Sequence, residues 1–176
     1  LKTAIVEKEW LGGVCLNVGC IPSKALLKNA ELAYTLRERS AEFGIRFDDL
    51  KLDYSEAVKR SRQVSDRLTR GIAFLMKKNQ IDVFMGQATL TAKDQLQITA
   101  SDGGTQSLKA RHMVIATGSH ALIPGGWTID GKRILTYREA ILQSELPKSI
   151  VIIGAGAMGV EFATVWNSYG TQVTLV

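Results

Sequence analysis

The stretch VIIGAGAMGVEFA, from Val151 to Ala163, limits the fold more tightly than any other part of the chain. Ser149 to Ile153 reads as a short apolar strand, and Gly154-Ala155-Gly156-Ala157-Met158-Gly159 follows it directly. An apolar helix is expected from about Ala157 to Ser168, closed by Gly170, with a second strand beginning near Val173. This is a βαβ unit, the building block of a parallel sheet covered by helices. A G-x-G-x-x-G run alone is a weak signal, but between a strand and a helix it is informative. Its first glycine permits the tight turn, its second lets backbone approach a pyrophosphate, and its third lets helix and strand pack closely. The free N–H groups and positive dipole end of the helix then face the phosphates. The alternative is a glycine-rich βα turn of any α/β fold; the context favours dinucleotide binding. The acid that would separate NAD from NADP falls past Val176, while Gly159 leans toward NAD.

Earlier in the chain, Thr3 to Glu7 looks like the second strand of another such unit. Glu7 at its end is placed to take a ribose hydroxyl pair, or is simply a surface acid. Pro22 suits the first turn of a helix, and apolar residues recur at Ala25, Leu26, Leu27, Ala30, Ala33 and Leu36, with Gly44 ending the run. Asp53 followed by Glu56 resembles a capping box opening a second helix. Periodicity then switches to alternation over Ile81–Met85, Ala88–Ala92, Gln95–Thr99 and Thr105–Lys109, a small antiparallel meander with turns at Lys93-Asp94 and Asp102-Gly103-Gly104. Met113 to Gly118 is expected to be a strand entering a glycine turn, and Pro124, Gly125, Gly126 and Pro147 mark a connecting region.

The two cysteines of the chain, Cys15 and Cys20, fall within GGVCLNVGCIPSKALL. A metal site would want further Cys or His ligands, and the only histidines are His112 and His120. A structural disulfide across so short a loop would remove little chain entropy, roughly 2 kcal/mol. Two bystander thiols are the common case for cysteines in general. Against that stand Gly12 and Gly13, which let backbone come close to something, and a helix start and the Lys24 ammonium, both of which favour a thiolate. A close pair that forms and breaks a disulfide is a two-electron device.

The 176 residues carry a net charge of +5, spread along the chain. The densest basic region, Lys59 to Lys78, is interleaved with acids and reads as a solvated helix face, not as a nucleic-acid stripe. No apolar run is long enough to span a membrane, and no signal peptide is visible. The chain opens on a strand already under way and stops without a cap, so it is expected to be an internal piece of a larger protein.

The cysteine segment, together with TAIVE, ATGS at Ala116 to Ser119 and VIIGAGAMGVEFA, resembles the flavin-dependent disulfide oxidoreductases over nearly the whole chain. Within that family the IPSK ending is most similar to members that oxidise dihydrolipoamide. Mercuric reductases share much of the segment, glutathione reductases less of it, and a non-catalytic cofactor-binding module is a third alternative. The resemblance implies Rossmann-like doubly wound FAD- and NAD(P)-binding domains of the α/β class with a small antiparallel meander inserted. Residues 1–122 would be the FAD-binding domain without its first βα unit, 123–148 a connecting segment, and 149–176 the start of the NAD-binding domain; the C-terminal interface domain would be absent.

It further implies that Cys15 exchanges with substrate and Cys20 faces the flavin. Glu7 would hold the adenosine ribose of FAD, and Gly12, Gly13 and the backbone near Cys15 would line it. Lys24 would lie near the flavin, Ala88 against the adenine side, and Ala116, Thr117, Gly118 and Ser119 would close over the cofactor. Gly154, Gly156, Ala157, Met158, Gly159 and Glu161 would meet NAD. Val14 departs from the commoner Thr. Implied partners are a second subunit in a homodimer and lipoyl domains of 2-oxo-acid dehydrogenase complexes or the glycine cleavage system. The location would be bacterial cytoplasm or mitochondrial matrix. The family's His–Glu base belongs to the missing interface domain, so these residues alone are expected not to turn over.

Overall fold

Local backbone chemistry divides the chain into twelve regular elements, seen in a computed structural model that describes residues 1–176. In chain order they are β1 (Ala4–Glu7), α1 (Gly13–Asn17), α2 (Cys20–Glu38), α3 (Tyr54–Lys78), β2 (Asp82–Met85), β3 (Gln87–Ala92), β4 (Gln95–Thr99), β5 (Thr105–Lys109), α4 (Tyr137–Ala140), β6 (Ser149–Ile152), α5 (Ala157–Ser168) and β7 (Gln172–Leu175). The fold is α/β. It forms two compact units, one of Leu1–Val14 with Arg67–His120, the other of Cys15–Asp66 with Ala121–Val176.

In the first unit β1 and β2 pair in parallel, Ala4 opposite Asp82 through Glu7 opposite Met85. The meander β3-β4-β5 is antiparallel, as its alternating sequence predicts, but it has three strands: the segment Ile81–Met85, expected as its fourth, is instead β2, drawn into the parallel pair with β1. Ile98 on β4 is its buried anchor at 1% exposure, on a strand whose neighbours are mostly wet. Gly86 joins the two sheets, its N–H donating to the Glu7 carbonyl at 2.8 Å.

The run Met113–Gly118 does not form the expected strand. Its β-branched residues suit a pleated sheet, but a strand exists only through hydrogen bonds to a neighbour, and in this chain β1 and β2 pair only with each other. Val114 is therefore left 91% exposed and Ile115 71%.

The second unit is built on helix packing. The buried stripe of α2 comprises Pro22, Ala25, Leu26, Ala30 and Ala33, and α5 packs against this helix. α2 begins at Cys20, so Pro22 lies in its first turn but not at its first position. Past Glu38 the chain tightens into a 3₁₀ turn, Ser40–Phe43, before left-handed Gly44 stops it. Asp53 caps α3 as its sequence suggests, its carboxylate accepting from the Glu56 N–H at 3.2 Å and the Ser55 hydroxyl at 2.6 Å. Glu56 itself pairs with Lys59 at 3.0 Å.

Phe162, Val165 and Trp166 of α5 are buried. Trp166 Nε1 donates to the Tyr54 hydroxyl at 3.1 Å, and Tyr169 meets the Tyr54 ring edge-on at 5.2 Å. Arg37, in the last turn of α2, donates to the Ser168 carbonyl at 3.0 Å. A cation there complements the negative end of the α5 dipole. β6 and β7 run parallel on either side of α5 in sequence, Ser149 opposite Gln172 through Ile152 opposite Leu175.

Gly159 shows why the βα turn needs its third glycine. A Cβ there would sit 2.0 Å from the Gly154 carbonyl oxygen, which is backbone and cannot swing away. Gly159→Ala should therefore force helix and turn apart and lower stability by about 1–3 kcal/mol, measurable as a reduced urea midpoint. Burial pushes the Tyr54 hydroxyl up to about 12. Its native state thus keeps a proton that the unfolded chain releases near pH 10. The corresponding stability is complete below pH 10 and is lost as pH rises toward 12. Tyr54→Phe should flatten the fall in denaturation midpoint across that window.

Candidate active site

The cysteine segment folds as two helices meeting at a short joint. Gly12 and Gly13 take positive φ, +85° and +59°, and this lets the chain turn sharply from Trp10 into α1, with the Gly13 N–H donating to the Trp10 carbonyl at 3.1 Å. Cys15 is the middle residue of that five-residue helix. Val18, 4% exposed, roots the joint, Gly19 is the residue before α2, and Cys20 is the first residue of α2.

Both thiols are free and exposed, and they are hydrogen-bonded to each other. The hydrogen bond to the Cys20 thiol pushes the Cys15 thiol above its ordinary value, and burial adds to this; the Lys24 ammonium pulls the other way with the smallest effect. Lys24 is therefore near Cys15, as the sequence suggests, but the neighbouring thiol outweighs it. In this dithiol state Cys15 is held protonated. No group of three or more His, Cys, Asp or Glu side chains suited to a metal ion forms around the pair.

α3 grips both helices that carry the thiols. Arg60 Nη1 donates to the Ala25 carbonyl at 3.2 Å and to Asn29 Oδ1 at 3.1 Å, both on α2. Arg62 Nη1 donates to the carbonyl of Asn17, the last residue of α1, at 2.5 Å. Between them Ser61 is fully buried, its hydroxyl donating to the Val58 carbonyl at 2.7 Å. Burial lowers the affinity of the Arg62 guanidinium for its proton, with Asp66 partly offsetting this. The two arginines were passed over in the sequence because basic residues on a long polar helix read as a solvated face; only their distant backbone partners show otherwise.

The second glycine cluster lies in the same unit as the thiols. Gly154 has φ +109°, and its N–H donates to the Val176 carbonyl at 2.8 Å. Gly156 is the N-cap of α5 and has no side chain to occupy the helix end. A Cβ at Gly154 or Gly156 would meet nothing within 4 Å, so the backbone there is approachable. Ala157, Met158 and Gly159 form the first turn and Glu161 the next. Open N–H groups, a 12-residue helix behind them and a bare glycine surface fit a pyrophosphate.

In the first unit, Glu7 ends β1, and its Oε1 accepts from the Glu9 N–H at 2.8 Å, shaping the turn that leads to Gly12. Ala88 on β3 faces Ile98 across the ladder and is exposed. Ala116, Thr117, Gly118 and Ser119 lie exposed in irregular backbone, Gly118 at φ +71°.

The profile of the family described as pyridine nucleotide-disulphide oxidoreductase matches residues 1–176. Dihydrolipoyl dehydrogenase of Mycobacterium tuberculosis is 49% identical over 177 aligned residues, covering 100% of this chain and 38% of its own length. The enzyme of the same name from Chlorobaculum parvum is 43% identical, covering 100% of this chain and 37% of its own. The chain thus spans less than two fifths of the length of these relatives. Among solved structures, LpdA from Mycobacterium tuberculosis superposes with a TM-score of 0.90 at 24% identity, over 99% of this chain and 38% of that one. The HOCl-induced flavoprotein disulfide reductase RclA of Escherichia coli, as its Cu(II) complex, gives 0.84 at 25% identity, over 99% of this chain and 36% of that one. The chain belongs to the pyridine nucleotide-disulphide oxidoreductase family.

Proposed function

We propose that Cys15 and Cys20 are a redox disulfide pair, and that the protein containing them oxidises protein-bound dihydrolipoamide to lipoamide with NAD+ as final acceptor. The observation that carries this is the thiol pair itself: two exposed sulfurs hydrogen-bonded to each other at the joint of two helices. The relatives named dihydrolipoyl dehydrogenase, 43% and 49% identical across the chain, direct the substrate choice.

The chain's own part is thiol–disulfide exchange. In the oxidised pair, one substrate thiolate attacks the Cys15 sulfur. A substrate–Cys15 disulfide forms, and the electrons of the broken bond leave with Cys20 as a thiolate. The second substrate thiolate then attacks the substrate sulfur of that mixed disulfide. Lipoamide departs as a cyclic disulfide, and Cys15 leaves as a thiolate that takes up a proton. Two electrons have passed from substrate to the cysteine pair. Bound FAD supplies a two-electron acceptor for the reduced pair, and NAD+ a hydride acceptor beyond it.

Family resemblance assigns Glu7, Gly12, Gly13, Lys24, Ala88 and Ala116–Ser119 to FAD, and Gly154–Gly159 with Glu161 to NAD. It divides the chain into FAD-binding residues 1–122, a connection over 123–148 and an NAD-binding start at 149–176. Approachable glycine backbone at Gly154 and Gly156 supports the second assignment. The protein would act as a homodimer on lipoyl domains of 2-oxo-acid dehydrogenase complexes or the glycine cleavage system, in bacterial cytoplasm or the mitochondrial matrix. No helix is long and apolar enough to cross a membrane. The catalytic base would come from outside these residues, so residues 1–176 expressed alone should not turn over dihydrolipoamide.

Two measurements test the pair. In the full-length gene product, Cys15→Ser and Cys20→Ser should each abolish dihydrolipoamide-dependent NAD+ reduction; substantial activity in either variant contradicts the assignment. Because the Cys20 thiol is the main reason Cys15 holds its proton, Cys20→Ala should move the inflection of Cys15 alkylation by iodoacetamide to lower pH. An unchanged or higher inflection would mean that the two sulfurs do not interact.

A further inference from the structure

The short helix bearing Cys15 cannot hold its own shape. A helix of five residues lies far below the length at which helices persist in water, so something outside it must fix its last turn. One such contact comes from α3. Arg62 Nη1 reaches the Asn17 carbonyl at 2.5 Å, two residues beyond Cys15 and across 45 positions of sequence. The carbonyl belongs to the last residue of α1, and a charged donor is a strong partner for it.

The arginine is itself held. Its Nη2 donates to the hydroxyl of Ser65 at 3.2 Å, and Ser65 is 3% exposed. Its Nε is shielded from solvent without a partner. This guanidinium is committed to α1 at the cost of one unmet donor, unlike the freely solvated cation that a basic helix face suggests. Arg60, two positions earlier, binds α2 in the same way through Ala25 and Asn29. One stretch of α3 therefore grips the helix that carries Cys15 and the helix that begins with Cys20.

We propose that Arg62 is a positioning residue for the redox pair: by holding the Asn17 carbonyl it fixes α1 so that the Cys15 and Cys20 sulfurs stay in disulfide-forming range. The proposal rests on the redox reading of the two cysteines. Its physical content is pre-organisation. Disulfides tolerate a narrow range of Cβ separations and dihedral angles, and a loosened α1 must be re-ordered each time the bond closes. Closure then carries an added entropic cost, and the equilibrium shifts toward the dithiol.

The test is the thiol–disulfide equilibrium of the full-length gene product in anaerobic glutathione buffers. In that exchange one glutathione disulfide is reduced to two glutathiones as the Cys15–Cys20 bond forms. Acid quenching, alkylation and mass spectrometry read the oxidised fraction. Arg62→Met keeps the apolar stem and removes the donors, and should lower the equilibrium constant for closure about fivefold, the effect of one hydrogen bond. Arg62→Lys restores a charged donor and should recover part of that loss. Arg37→Met removes a similar arginine–carbonyl contact at the end of α5 and should lower Tm while leaving the equilibrium constant unchanged. A wild-type constant in Arg62→Met, whatever its Tm, overturns the proposal. Should that variant fail to fold, Arg62→Gln gives the same readout: a lowered constant supports positioning and an unchanged one overturns it. A wild-type protein that forms no Cys15–Cys20 bond in any buffer sinks the redox reading itself, a result distinct from an unchanged constant in the variant.

Discussion

The contact between the Cys15 and Cys20 thiols depends on a joint that is weak by itself. One cysteine lies in a helix of five residues, the other at the first position of a helix of 19. Two left-handed glycines precede α1, Val18 between the helices is buried, and α3 reaches both helices through Arg60 and Arg62. Under the proposed redox role, sulfur chemistry sets the demand: the pair must meet closely enough to bond yet remain exposed to a partner thiol. The long α2 meets it by being rooted through Leu26 and Ala30, both fully buried, so that its N-terminal end is fixed while Cys20 stays exposed.

Two glycine turns leave backbone bare of side chains. At α5 a bare glycine turn leaves room for a phosphate, because no Cβ occupies the helix end. The tightness of that turn has the same origin: the gap between the Gly159 position and the Gly154 carbonyl is too small for any side chain. At α1 two successive left-handed glycines turn the chain just ahead of Cys15. At Gly12 and Gly13 the requirement for glycine is the left-handed backbone; at Gly159 it is the lack of room for a Cβ.

Much of this was legible in the residues. The helix Ala157–Ser168 and the strands Gln95–Thr99 and Thr105–Lys109 lie at the expected positions, since local periodicity and turn chemistry decide them. The cysteine pair was legible through its neighbours, the glycines and Lys24. What sequence missed depends on distant partners. Helix α1 was not anticipated: five residues opened by a glycine carry no helical periodicity, and the contact of its last carbonyl with Arg62, 45 residues away, is not visible in sequence. Met113–Gly118 read as a strand, because propensity cannot report whether a neighbouring strand is there to pair with. Helix α4 had a local signature, Thr136 with Glu139, and both bonds of the capping box form; it was hidden by the Pro and Gly residues around it. The pull of Lys24 on the Cys15 thiol was visible in sequence, while the opposing and larger effect of the Cys20 thiol was not.

Under the proposed function these two cysteines pass electrons between a dithiol and a flavin. The most direct measurement is the visible spectrum of the full-length gene product during anaerobic titration with dihydrolipoamide. The expected result is an oxidised-flavin spectrum that gains a long-wavelength charge-transfer band and saturates near one equivalent, with the band lost in Cys20→Ser. A flavin spectrum unmoved by the dithiol but responsive to NADPH would contradict the substrate assignment, and a purified protein without flavin would contradict the redox role of the pair.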